Sequence, residues 1–319
     1  MRRLLYYDVL GYLPENRALL EIAFEVVRLP HPGFDTDTVL AGLEACCAPL
    51  GFAFDGAKMD RAPGLRAILS NTTGVPHIDM AAAAERGIAV FSLADQQEFL
   101  ATITATAEHA FGLMLALLRG TPWSHAAALE GKWNRFDFGA PAMLSRLSLG
   151  LVGMGRLGRL MSRYGSAFGM RVRFFDPYVG AQDGGAEKVE TLARLAALSD
   201  VLSLHAPARD ETRHLIDQGI LAACRPGAVL INTARGELVD ESALLAALRE
   251  GRLAGAALDV LDGEYEPGFR AAGHALVAYA REHRNLLLTP HIGGSTEDAW
   301  RETQRHVIER AIAHFGAPG

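Results

Sequence analysis

From about residue 148 onward the chain alternates short strand-like apolar runs, LGLVG, RVRFF, VLSLH, AVLIN, AALDV and LLLTP, with helix-patterned stretches. That alternation is the pattern of a doubly wound sheet of parallel strands. A sheet of this kind binds its ligands at the carboxyl ends of its strands. In the first hundred residues LLYYDVL, AILS and IAVF read as short strands, with helical patterns around Thr36 to Cys47 and Asp79 to Arg86, which describes a second, smaller α/β unit. The stretch Thr102 to Arg119 is expected to bridge the two units. The last residues, with helical spacing at Trp300, Val307, Ile312 and Phe315, are expected to return to the first. The expected division is residues 1–100, completed by 293–319, and residues 101–292. No fixed-period repeat or low-complexity segment interrupts this plan.

The segment LSLGLVGMGRLGRLM places Gly153, Gly155 and Gly158 in G-x-G-x-x-G register. It follows a strand-like run and precedes a helical pattern with Leu157, Leu160, Met161, Tyr164 and Phe168. Gly153 suits the tight turn, Gly155 lets the backbone approach a pyrophosphate, and Gly158 allows close helix–strand packing. The helix start, at Arg156 and Leu157, offers unpaired N–H groups to phosphates. The next strand-like run ends in Asp176, about 20 residues past the glycines, where a carboxylate meets a ribose 2′-hydroxyl. Asp176 would repel a 2′-phosphate, and Pro177 to Gly180 supply no Arg or Lys to receive one. The cofactor expected is NAD rather than NADP. The plainer reading of Asp176 is an Asp-Pro turn.

Three further islands follow strand-like runs: Arg235 in INTARGELVD, Glu264 in LDVLDGE and His291 in LTPHIGGST. Hydride arriving at a carbonyl carbon leaves negative charge on oxygen, and a guanidinium stabilises that charge while its fork grips a carboxylate. The same oxygen needs a proton near neutral pH, which imidazole delivers. A carboxylate on the other ring nitrogen fixes the tautomer and stabilises the imidazolium. Arg235, His291 and Glu264 fill these roles for the reduction of a 2-oxo acid. Singly, each has a plainer reading, as a solvated Arg, a loop Glu and a packed His; the functional reading rests on their joint occurrence with a dinucleotide site.

Read together, GMGRLG, FFDPY, SLHAPARDETRHLI, INTARGELVD, AGAALDV and LTPHIGGST resemble the D-isomer-specific 2-hydroxyacid dehydrogenases, over roughly residues 70 to 300. The resemblance implies a Rossmann nucleotide-binding domain, a smaller flavodoxin-like α/β substrate domain and a cleft between them. It carries the Arg–Glu–His set onto Arg235, Glu264 and His291. It also implies that His205, Pro207, Thr212, Thr233, Ala234 and Asp259 line the cofactor site. SNTTGVPHID resembles the family's glycine-containing loop, in which the N–H groups around Thr73 and Gly74 hold the substrate carboxylate. ATAEHAFGLMLALLRG resembles its long interdomain helix, with Thr106 near the nicotinamide; His109 reads as a hydrogen-bonded helix residue. The implied assembly is a homodimer packed partly through the 102 to 145 region, with which the GLMLALL run and exposed-looking Trp123 and Trp133 are compatible.

Several positions depart from the family pattern. Thr72, Thr73 and Pro76 differ from the commonest loop. The family writes its glutamate as Glu-Pro, whereas here Glu264 precedes Tyr265 and the pair falls at Glu266-Pro267, so Glu266 stands as the substitute for Glu264. Near Phe52 to Asp55 the phosphate-binding arginines of phosphoglycerate dehydrogenases are missing, with Lys58 and Arg61 following. The order of expected substrates is glyoxylate, hydroxypyruvate, a bulkier 2-oxo acid and last 3-phosphohydroxypyruvate. The chain stops soon after His291, so no C-terminal regulatory domain is expected.

Of the 319 residues half are hydrophobic and 21% charged, ordinary for a folded soluble protein of about two domains. The net charge of −6 gives no global basic field to gather nucleic acid or anionic membrane. Cys46, Cys47 and Cys224 cannot form a disulfide framework and lack zinc spacing, so no metal is expected and a reduced cytoplasm is the natural compartment. No apolar run reaches the roughly 20 residues of a membrane span, the best being AFGLMLALL. The other class of function on this framework is an NAD(H)-sensing, peptide-binding corepressor without turnover. An amino-acid dehydrogenase would want Lys and Asp in place of the Arg–His pair.

Overall fold

The computed structural model describes residues 1–180, 185–266 and 268–316, together with the backbone of 182–183. Two compact units emerge: Met1–Ile103 with Tyr265–Pro267 and Ser295–Gly319, and Thr104–Glu264 with Gly268–Gly294.

In the first unit five parallel strands, β1 (Arg3–Tyr7), β2 (Glu25–Leu29), β3 (Ala45–Cys47), β4 (Ala67–Leu69) and β5 (Ala89–Phe91), stand in the order β2-β1-β3-β4-β5. This is the flavodoxin-like order. Side chains alternate across the sheet: Cys46 enters a core with Leu5, Tyr7 and Ile68, while Ala45 and Cys47 join Leu4, Tyr6 and Leu69 on the other face. The long C-terminal helix Glu297–Phe315 packs Ile308, Ala311 and Phe315 into that second layer. Of its expected apolar positions, Val307 and Phe315 are buried, whereas Trp300 is largely exposed.

The helical reading of Thr36 to Cys47 is corrected here. Only Asp37–Ala41 is helix, capped by Thr36, and Ala45–Cys47 is a strand. Three residues are too few for a period to show, and pairing with β1 and β4 overrides the helix-forming Leu-Glu-Ala run.

In the second unit β6 (Ser148–Val152), β7 (Arg171–Phe175), β8 (Gln182–Asp183), β9 (Ala186–Lys188), β10 (Val201–Leu204), β11 (Ala228–Asn232), β12 (Leu253–Leu258) and β13 (Leu286–Leu288) stand in the order β13-β12-β11-β10-β6-β7-β9-β8. All pairs are parallel except β8 with β9. Strand order reverses at β6 and β10, and that switch point opens a crevice at their carboxyl ends. Leu202, Leu204 and Leu230 enter one core layer, Val201, Val229 and Ile231 the other.

Helix Ala105–Leu118 covers the second layer with Ala107, Ala110, Phe111, Met114 and Leu117. The stretch Gln97–Leu118 is apolar enough by composition to cross a membrane, with mean hydropathy 1.3. The helix is broken at 101–104, and its longer part lies in the core, as a buried helix of a folded domain does. Cys46, Cys47 and Cys224 are free and buried. Burial pushes the Cys46 thiol up to about 12 and Cys224 to about 11, so both stay protonated.

Candidate active site

The glycine loop begins where β6 ends. Gly153 has φ 94°, a conformation that L side chains rarely adopt, and a Cβ on it would lie 2.8 Å from the carbonyl oxygen of His205. Its N–H donates to Phe175 O at 2.9 Å, and His205 N–H donates to Val152 O at 2.7 Å, so the loop is clamped between the ends of β7 and β10. Around Gly155 no atom lies within 4 Å of a Cβ position, leaving the space that a pyrophosphate would use. Helix Arg156–Ala167 starts there with Arg156 and Leu157 half-buried and Gly158 buried; burial lowers the Arg156 guanidinium below its usual value.

Asp176 ties this loop to the turn after β7. Its Oδ2 accepts from Met154 N–H at 2.8 Å and its Oδ1 from Tyr178 and Val179 N–H at 2.8 and 3.1 Å. The Asp-Pro turn is thus present, and Oδ2, with a single donor, keeps a lone pair for a further one. Across the crevice His205 accepts or donates at Nε2 with Ser203 Oγ, 2.9 Å away, while its buried Nδ1 has no partner among the described residues. Burial pulls this imidazole down to about 4. The buried Thr233 hydroxyl likewise has no partner among the described residues. Buried polar atoms left in this state are costly unless a ligand meets them, and His205 packs on the glycine loop at Gly153, so the residues present fit a dinucleotide. Thr212 Oγ1 bonds Pro207 O at 2.8 Å and closes the loop carrying Pro207, which is exposed.

The turn after β11 is braced by Asn232, whose side chain accepts from Ala234 N–H at 3.0 Å and donates to Arg235 O at 2.8 Å. Arg235 itself is half-buried, with Nη1 on Ala234 O at 2.7 Å. At Gly236 a Cβ would collide with the backbone of Leu261 and Asp262, so this turn lies flat on the loop that carries Glu264. Glu241 fastens the same loop by accepting from Asp262 N–H at 2.9 Å.

Glu264 Oε1 lies 2.7 Å from His291 Nδ1. Of the two candidate glutamates this is the one that meets the imidazole; Glu266 is exposed, and Pro267, its partner in the Glu-Pro pair, lies outside the described residues. His291 has φ 53°, rare for a residue with a side chain. Asp259 imposes it. That carboxylate, 2% exposed, accepts from Ile292 N–H at 2.9 Å, Gly293 N–H at 2.7 Å and Thr289 Oγ1 at 2.5 Å, while Asp259 O accepts His291 N–H at 2.8 Å. His109 completes the net, with Nε2 2.9 Å from Thr289 Oγ1 and 3.3 Å from Asp259 Oδ1, and so is a hydrogen-bonded helix residue. Thr106, one turn earlier, packs against Gly293 and Gly294. Reading the sequence missed Asn232, Glu241 and Thr289. Asn and Thr at strand ends beside turns were the available signal, since such side chains bond neighbouring backbone.

In the first unit Thr73 and Gly74 lie in the loop after β4. Ser70, Thr72 and Gly74 O form a chain of hydrogen bonds of 2.8 and 2.7 Å, with His77 Nε2 on Ser70 at 3.3 Å. Neither Thr73 nor Gly74 N–H has an acceptor among the described residues. Lys58 is buried against Asp35 at 2.7 Å and Tyr7 OH at 3.1 Å, and Arg61 pairs with Asp37 at 2.7 Å, so both cations following the Phe52 stretch are engaged.

A match to the D-isomer specific 2-hydroxyacid dehydrogenase NAD binding domain covers residues 111–293, all but 265–267 of them in the second unit. The D-3-phosphoglycerate dehydrogenase of Methanocaldococcus jannaschii is 35% identical over 255 residues, 79% of this chain and 46% of that protein. The glyoxylate reductase of Thermococcus litoralis is 34% identical over 270 residues, 82% of this chain and 77% of that one. A D-lactate dehydrogenase from Aquifex aeolicus, solved with NAD and lactic acid, matches with a TM-score of 0.81 at 26% identity, covering 99% of this chain and 95% of that one. The chain belongs to the D-isomer-specific 2-hydroxyacid dehydrogenases, and its second unit is an NAD-binding domain of that family. It spans about half the length of the curated phosphoglycerate dehydrogenases it matches.

Proposed function

We propose that the protein interconverts a small 2-oxo acid and its D-2-hydroxy acid. The observation that carries this reading is the 2.7 Å bond between Glu264 and His291 at the carboxyl ends of β12 and β13, in the same unit as the clamped glycine loop. When bound, NADH supplies the hydride. Arg235 binds the substrate carboxylate and stabilises the negative charge that grows on the carbonyl oxygen. His291 delivers the proton to that oxygen from Nε2, because Glu264 holds the proton at Nδ1 and so leaves Nε2 to face the substrate. In the reverse direction neutral His291 takes the proton away.

Asp176 favours NAD, since a 2′-phosphate would meet its carboxylate. Thr73 and Gly74 would offer their N–H groups to a carboxylate. With Lys58 and Arg61 already paired, neither cation following the Phe52 stretch is left for a phosphate, so glyoxylate and hydroxypyruvate stand ahead of 3-phosphohydroxypyruvate. Leu129, Trp133, Phe136 and Met143, all more than half exposed in one segment, support a homodimer. The test is NADH oxidation over a panel of 2-oxo acids, repeated with NADPH. Turnover of at least one small 2-oxo acid with NADH is expected; no turnover across the panel sinks the reading, and preference for NADPH overturns the role of Asp176.

A further inference from the structure

The crevice at the carboxyl ends of β6 and β10 is matched by a second concavity at the amino ends of the same sheet. This cavity of about 440 Å³ is lined by Arg146, Arg171, Arg173, Arg225, Ser145 and Asp200, among others. Its size falls in the ~300–1,000 Å³ range of small-molecule sites. Four guanidiniums meet one lining carboxylate, and that one is occupied: Asp200 pairs with Arg225 at 2.9 Å and accepts from Ser148 N–H and Oγ. Glu187 serves both Arg171, at 2.8 Å, and Arg173, at 3.1 Å. Two positive charges are left over in a chain whose net charge is −6.

The individual residues point the same way. Arg173 has only 7% of its side chain exposed and donates through Nε to Glu187 and through Nη1 to Leu198 O at 3.2 Å. A guanidinium has five N–H donors, and its Nη2 meets no acceptor among the described residues. Arg146 has no ion-pair partner among them either. Glu187 balances the Arg173 charge, and the remaining donors are left for a further acceptor in the cavity. Guanidinium forks fit phosphate and carboxylate groups bidentately.

We propose that this cavity binds a compact anion carrying two or more negative charges, a phosphorylated or polycarboxylic small molecule. The site is separate from the cofactor's. β6 and β7 each run five residues from this end to the glycine loop and Asp176, about 16 Å at 3.3 Å per residue. An anion filling the cavity does not reach Gly153. A long polyanion is disfavoured by the overall negative charge.

Calorimetric titration of the full chain with pyrophosphate and, separately, citrate, each in the presence of saturating NADH, tests this. NADH blocks the glycine loop, which would otherwise take pyrophosphate itself. One of the two anions is expected to bind with NADH present, and the tighter one names the ligand class. Arg146→Ala combined with Arg171→Ala should weaken that binding at least about tenfold while leaving NADH affinity and the melting temperature unchanged, since both side chains are on the surface. Failure of both anions to bind at millimolar concentration, their exclusion by NADH, or undiminished affinity in the double variant would each overturn the proposal.

Discussion

His291 occupies a backbone conformation that costs a non-glycine residue about 1–2 kcal/mol, and the donors gathered on Asp259 offset that cost. The strain aims the ring so that Nδ1 meets Glu264. Replacing Glu264 by Gln keeps the side chain's shape but removes the carboxylate that accepts from Nδ1 and orients the ring; turnover in 2-oxo acid reduction should fall about tenfold or more, while Glu266→Gln stays within about twofold of the parent. Steady-state kinetics of the two variants decide between them, and equal losses would remove Glu264 from its role. His291→Ala should cost about 10²-fold or more. Burial pulls the His205 imidazole down to about 4 from an ordinary 6.5, so the fold favours the neutral ring. Above pH 6.5 neither state is protonated and nothing is lost; as pH falls the unfolded chain binds the proton first, and stability drains between 6.5 and 4. At pH 5 the loss is about 2 kcal/mol. Urea denaturation of the parent and of His205→Gln should show the gap between them narrowing by about that amount from pH 7 to 5. A constant gap would mean that this ring protonates freely in the folded protein.

At the scale of elements, the catalytic candidates are placed by loops pressed against each other after β11, β12 and β13. Gly236 is the tightest of these contacts. Gly236→Ala would drive a methyl into the backbone of Leu261 and Asp262, which cannot swing aside as a side chain can. We expect a loss of about 2–3 kcal/mol in denaturant unfolding, and a fall in kcat/KM steeper than that in NADH affinity, because the loops of Arg235 and Glu264 are parted. Equal losses in both would show general unfolding instead. The glycine loop was legible because strand, Gly-x-Gly-x-x-Gly, helix and acidic strand end are all local. β3 was not, since three residues of Ala and Cys declare no period and become a strand only by lying between β1 and β4.

At the scale of the whole molecule, the segment following the helix Ala105–Leu118 leaves Trp133 90% and Phe136 77% exposed. Large aromatic side chains in solvent are common anchors of interfaces. Trp133→Ala with Phe136→Ala should shift the protein from dimer to monomer in sedimentation analysis; a parent that sediments as a monomer would refute the assembly. Trp123, exposed-looking in the sequence like Trp133, is partly buried and packs against the core layer that holds Phe111 and Leu149, because helix Thr121–Leu129 turns it inward. Residue types and strand-adjacent positions by themselves determined the two α/β units and the dinucleotide loop and singled out Arg235 and His291 as candidates, since these are written in local pattern. The tertiary structure alone brought Glu264 rather than Glu266 onto His291, tied up Lys58 and Arg61, and gathered four arginines at the far end of the sheet. Those outcomes depend on which distant groups come within hydrogen-bond reach, and chain order carries no distance between residues separated by dozens of positions.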